Sequence, residues 1–94
     1  MKDSTAIVPT AFAVRYLRQL CKHFGHKVPT EISEATGRIT LPFGTCAMSA
    51  TADALTLTVQ SEFADLTRVE RLIGDHLARF AFRENPKIKW QRAV

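Results

Sequence analysis

The sequence predicts an α+β fold: a single antiparallel meander sheet packed on one face by two helices, in the order β-α-β-β-β-β-α-β. Three observations lead there. Residues 11–24 and 62–82 repeat apolar side chains at the helical period. Between them, over residues 28–60, the apolar period falls to two, as in strands with one buried face. Short segments rich in Gly, Thr and Asp separate the alternating runs, leaving room for hairpin turns but not for crossovers. Similar layouts occur in TATA-binding-like and secretion-chaperone-like folds, an analogy of shape that carries no function.

The elements follow in chain order. "STAIVPT", residues 4–10, is β-branched and closed by Pro9, which suits a short edge strand or extended lead-in, with Thr10 as an N-cap. In "AFAVRYLRQLCKHF", Ala13, Leu17, Leu20, Cys21 and Phe24 share one helical stripe, and Arg15, Arg18, Gln19 and Lys22 face away. Gly25 stands where a left-handed helix terminus favours glycine. Alternation then places Val28, Thr30 and Ile32, next Ile39, Leu41 and Phe43, next Cys46, Met48 and Ala50, and finally Leu55, Leu57 and Val59 on the buried face of four strands. Ser61 is the N-cap candidate of the second helix, whose stripe is Phe63, Leu66, Val69, Ile73, Leu77 and Phe80. Pro86 bars its continuation, and "KIKWQRAV" alternates as a last strand with Ile88 and Trp90 on one side.

Ninety-four residues make one domain, 1–94, and a hydrophobic content of 46% supplies its core without a metal or a disulfide staple. The net charge is +4, but the 13 basic and 9 acidic residues are interspersed, with no run of five like charges. Nucleic acid is therefore not the expected partner, and the outward strand positions, mainly Thr, Ser and Arg, lack an aromatic platform for RNA. "MKDSTAIVPTAFAV" has no continuous apolar region, because Pro9 and Thr10 interrupt it, so no export signal is expected. No stretch of eighteen apolar residues exists, so a membrane is not an expected partner either. Cys21 and Cys46 are too few for a disulfide framework, which favours reduced thiols in a cytoplasm.

"LCKHFGHKVP", residues 20–29, gathers one cysteine and two histidines. Cys21 and His23 diverge by about 200° on a helix and cannot share an ion there. His23 and His26 have ligand spacing only if the helix continues past Gly25, and no zinc motif is present, so no metal or other cofactor is expected. Cys21 reads as a small core residue; Lys22 and His23 read as partners of a helix C-terminus, a role that would raise the pKa of His23. His76 falls at the edge of the second helical stripe and needs a hydrogen-bond partner. Glu70 is the one acid at that stripe's margin; it either reaches solvent or pairs with a buried partner. Neither a G-x-S-x-G elbow, a P-loop nor a G-x-G-x-x-G turn occurs. The expectation is a non-catalytic module, the alternatives being a small enzyme using Cys21 or a histidine and a nucleic-acid-binding domain.

As a set, "YLRQLCKHFGHKVP", "GRITLPFGTC", "ALTLTV" and "HLARFAFRENPKIKWQRA" resemble the bacterial domain-of-unknown-function family twenty-two-eighteen, from about Ala6 to Ala93. The resemblance implies no established activity, cofactor or catalytic residue. It does imply a setting: similar domains are sometimes found joined to or beside siderophore-interacting, iron-uptake proteins. The family's characteristic strings cover Lys22, His23, His26, Lys27, His76, Arg79 and Arg83, which become the candidate binding residues. If the two helix ends meet, this His/Lys/Arg set would suit a small anionic ligand or an anionic group on a partner protein. The outer Thr-rich face and any uncovered sheet edge would favour a homodimer.

Overall fold

The computed structural model describes residues 1–93. Its elements are β1 (Lys2–Pro9), α1 (Ala13–Phe24), β2 (Thr30–Ile32), β3 (Thr36–Leu41), β4 (Gly44–Ala50), β5 (Ala54–Ser61), α2 (Phe63–Phe80) and β6 (Gln91–Arg92). They form one six-stranded sheet in the order β2-β3-β4-β5-β1-β6, and every strand pair is antiparallel. Element order and layers match the expectation from periodicity.

Register follows from the apolar alternation. Cys46 pairs with Val59 and Met48 with Leu57, so the inward residues of β4 and β5 lie side by side on the helix-covered face. Leu17, Leu20, Ile39, Leu55, Leu57, Leu66, Ile73 and Leu77 are fully or almost fully buried between sheet and helices. The opposite face carries Thr5, Thr56 and Thr58 and is open.

Several local expectations are corrected. β1 is longer than a short edge strand and only half of it is edge: it pairs with β5 along its whole length, Lys2↔Ser61 to Pro9↔Ala54, while β6 pairs on its other side with Ser4 and Thr5 alone, leaving 6–9 without a strand neighbour there. Pro9 is tolerated because it closes the strand. Gly25 adopts a right-handed conformation (φ −63°), so its demand for glycine is steric: a Cβ there would stand 2.9 Å from the Cys21 carbonyl oxygen. The Thr10 hydroxyl accepts the Phe12 amide at 3.0 Å, one step before the helix proper, and Phe12 is the capping position. Ser61 caps nothing; its buried hydroxyl donates to the Phe43 carbonyl at 2.7 Å, and Glu62 takes the N-cap position without a side-chain bond. Phe63 and Ile32, both expected inside, are exposed, because the first turn of α2 and the three-residue β2 project past the area where helix covers sheet. The closing strand shrinks to two paired residues: Ile88 and Trp90 pack against the core as an extended strap over Gly74 of α2 instead of pairing in the sheet. Its expected last member, Val94, lies outside the described residues.

Candidate functional site

The two helices lie antiparallel on the sheet. Tyr16, in the first half of α1, donates its hydroxyl to Glu84 beyond the end of α2, whereas His23, at the end of α1, meets His76 in the second half of α2. This direction decides which candidates come together. The C-terminus of α1 faces the stretch of α2 from His76 to Phe80, not the segment beyond it.

His23, His26, Lys27 and His76 line one cavity of about 390 Å³, whose apolar walls are Phe24 and Leu72. The ring centroids of His23 and His76 are 4.6 Å apart, with planes inclined at 44°. Phe24 packs against His76 at 4.9 Å and Phe80 against His23 at 5.8 Å. His76 Nδ1 is 2.7 Å from the Leu72 carbonyl oxygen. A carbonyl only accepts, so Nδ1 carries the proton and Nε2 is the atom left for a ligand. That is the hydrogen-bond partner the boundary position of His76 demands.

Arg79 lies near enough for its charge to act on His23. Lys22 and Arg83 do not join the cavity. Lys22 lines a shallow depression with Arg18 and Glu34 on the far flank of α1, and Arg83 belongs to a cleft beside Phe82 and Tyr16. The expected single cluster is therefore split in three by the antiparallel helix arrangement.

The expected rise of the His23 pKa is reversed. Desolvation by the neighbouring rings lowers it, and the charges of His76, His26, Lys27 and Arg79 push the same way. The cavity holds cationic and imidazole groups with no carboxylate among its lining residues. Among the described residues, no three His, Cys, Asp or Glu side chains are grouped so as to hold a metal ion. Cys21 is buried, with its thiol 3.7 Å from the Glu31 carbonyl oxygen, and burial pushes its pKa up. Cys46 is fully buried, its pKa pushed up to about 12, first by burial and then by Cys21.

Two polar constellations escaped the sequence. Of the two outcomes open for Glu70, pairing occurs: Arg92 Nη2 lies 3.0 Å and Nε 3.2 Å from its carboxylate oxygens, and Nη2 also reaches Thr67 Oγ1 at 2.6 Å. Burial, the largest influence, pushes the Glu70 carboxyl up, but the hydrogen bonds and charge of Arg92, with the Ser4 hydroxyl close by, outweigh it and leave the pKa lowered. Ser4 Oγ itself is buried without a partner in hydrogen-bonding geometry. The second constellation is Glu84, whose carboxylate accepts the Tyr16 hydroxyl and, at 2.9 and 3.0 Å, the Thr10 hydroxyl. This contact raises the Tyr16 pKa. The position of Glu70 in the apolar stripe was a signal; the partners of both acids, 22 to 74 residues away, left none.

The profile of an uncharacterised protein family conserved in bacteria, DUF2218, matches residues 5–91. The chain belongs to this family. Among solved structures, the NMR structure of PA4090 from Pseudomonas aeruginosa is similar to this DUF2218 protein over 97% of this chain and 96% of its own, with 36% identity and a TM-score of 0.82. No curated protein matches. The fold of the DUF2218 protein is thus shared with PA4090 from end to end, and no helix among the described residues is long and apolar enough to cross a membrane.

Proposed function

We propose that this DUF2218 protein is a non-catalytic binding module that takes a small aromatic anion in the cavity between the end of α1 and the body of α2. The observation that carries the reading is the composition of that cavity: an apolar wall of Phe24 and Leu72 beside His23, His26, Lys27 and His76, with no acid among them. A planar ring suits the wall, and a carboxylate or catecholate suits the imidazoles and the ammonium. Its volume of about 390 Å³ is that of a small-molecule site. The siderophore setting suggested by the family resemblance makes catecholates the first ligand class to test, in a cytoplasmic accessory protein of iron metabolism. Against the rival of a thiol enzyme stands Cys21, buried and with its thiolate disfavoured, whereas a nucleophilic cysteine needs access and a stabilised anion.

The test is an NMR titration of isotope-labelled protein with salicylate and dihydroxybenzoate. Saturable shifts should centre on His23, Phe24, Lys27 and His76. The His23→Ala/His26→Ala variant should bind on the order of ten-fold more weakly, a loss of about 1.4 kcal/mol. Unchanged affinity in the variant, or shifts centred elsewhere, would remove this site.

A further inference from the structure

We infer that the cleft between α1 and the turn following α2 binds single-stranded nucleic acid, with a base in the cleft and the phosphates along the outer face of α1. The cleft encloses about 430 Å³ and is separate from the imidazole cavity. Phe12 and Phe82, 49% and 68% exposed, both line it. Two open aromatic faces on one cleft offer a platform on which bases can stack. The Arg15 guanidinium sits 6.0 Å from the Phe12 ring centre and that of Arg83 lies 5.7 Å from Phe82. Among the described residues the one ion pair is Arg92–Glu70, so neither arginine has a carboxylate partner.

The interior of the cleft selects among anions. Glu84 is fixed there by the Tyr16 and Thr10 hydroxyls, and Gln19 stands beside it. A carboxylate keeps acceptor sites beyond those two bonds. It repels an acidic side chain but accepts the N–H groups on the edge of a base, as an amide does. Outside the cleft the charges carried by α1 itself are of one sign. α1 contains no acidic residue, and Arg15, Arg18 and Lys22, spaced by three and four residues, form a ridge along its outer face; Glu34 is the acid beside it. Basic residues dispersed along the chain are thus assembled in space beside two stacking rings, the combination that non-specific single-strand binders use.

Fluorescence anisotropy with a dye-labelled oligothymidylate of about twelve nucleotides, a length within known site sizes, tests the inference. Log affinity should fall with log salt at a slope of about −0.7 for each phosphate neutralised, hence about −3 for the four cations Arg15, Arg18, Lys22 and Arg83. Arg15→Ala and Arg83→Ala should each flatten that slope. Phe12→Ala and Phe82→Ala should weaken binding on the order of ten-fold at unchanged slope. All four side chains are on the surface, and circular dichroism confirms that each variant is folded. His23→Ala/His26→Ala should leave the affinity unchanged, which separates this cleft from the proposed anion cavity. Absence of binding at low salt, equal affinity for the matching duplex, or displacement by oligoglutamate as readily as by unlabelled DNA would overturn the inference, the last by pointing to an acidic protein partner.

Discussion

Glu70 and Arg92 show how a buried acid becomes tolerable. Glu70 is only 8% exposed, and Arg92 supplies two hydrogen bonds and the opposing charge. Its pKa in the folded protein is lowered from an ordinary 4.5. The stability from this ionised carboxylate is therefore complete above the unfolded value and is lost as pH falls through the folded one. Arg92→Ala leaves burial unopposed, so its acid-unfolding transition should move to higher pH; a transition at the wild-type pH would contradict the pairing. His23 has the same sign for the opposite reason. Its folded pKa lies below 6.5, so neutral His23 contributes stability above 6.5 that fades as pH falls through the folded value. Proton NMR should place its midpoint below that of an unfolded peptide control. Ser61 offers a test without ionisation. Ser61→Ala removes the donor to the Phe43 carbonyl and should cost about 1 kcal/mol in urea unfolding.

At the level of elements, two glycines on the core side of the fold predict opposite outcomes. A Cβ on Gly37 of β3 would lie 2.9 Å from Cys21 Sγ, 3.1 Å from Leu17 Cδ2 and 3.2 Å from Met48 Cε. Gly37→Ala therefore overpacks the contact between α1 and the sheet and should cost about 1–3 kcal/mol. A Cβ on Gly74 of α2 would stand 3.4 Å from Trp90 Nε1 and 3.9 Å from Ile88 Cγ2, ordinary contact distances. Gly74→Ala should thus keep the strap in place and gain about 0.5–1 kcal/mol of helix propensity. Thermal unfolding of the pair, one midpoint down and one up, checks both. The same elements show what periodicity can and cannot convey. Leu17, Ile73 and Leu57 were legible because a stripe of period 3.6 or 2 has one buried solution once two helices cover one sheet. Phe63 and Ile32 obey the same period and are exposed, since periodicity gives a direction and not the extent of the covering layer. His23, His26, Lys27 and His76 were legible as residues, but their union depended on the antiparallel packing of α1 and α2, which no local pattern encodes. Trp90 alternated like a strand residue and became part of a strap, because Gly74 opens a place for it on α2.

For the molecule as a whole, the two thiols report on cooperativity. Cys46 is completely covered and Cys21 nearly so. Their alkylation by iodoacetamide should be slow in the native protein and should track global unfolding as urea is added. Fast labelling of Cys21 in the absence of urea would reveal local opening of α1 and would revive a reactive thiol. The terminal strands of the sheet are short, three residues in β2 and two in β6, and the edge open to another strand is the 6–9 stretch of β1, which Pro9 closes. The homodimer suggested by the sequence would use that stretch or the open Thr-rich face, and Ile7, 64% exposed, belongs to both. Light scattering at micromolar concentration should report the 10.5 kDa monomer; a species of twice that mass, abolished by Ile7→Lys, would establish a dimer through Ile7 instead.

The pairing of β6 with β1 has an architectural corollary. The Ala93 amide donates to the Asp3 carbonyl at 3.0 Å, so the two extremities of the fold are stitched together on one margin of the sheet. Any polypeptide attached before Asp3 or after Ala93 departs from a common point. The unit can therefore be spliced into a host loop like a cassette, widening the gap in the host by little more than one strand spacing, about 5 Å. It can equally be reconnected. A permutant with its extremities joined by a short glycine tether and its chain reopened in the exposed turn between β4 and β5 should fold to the same sheet order, with β6 and β1 now the two arms of a continuous hairpin.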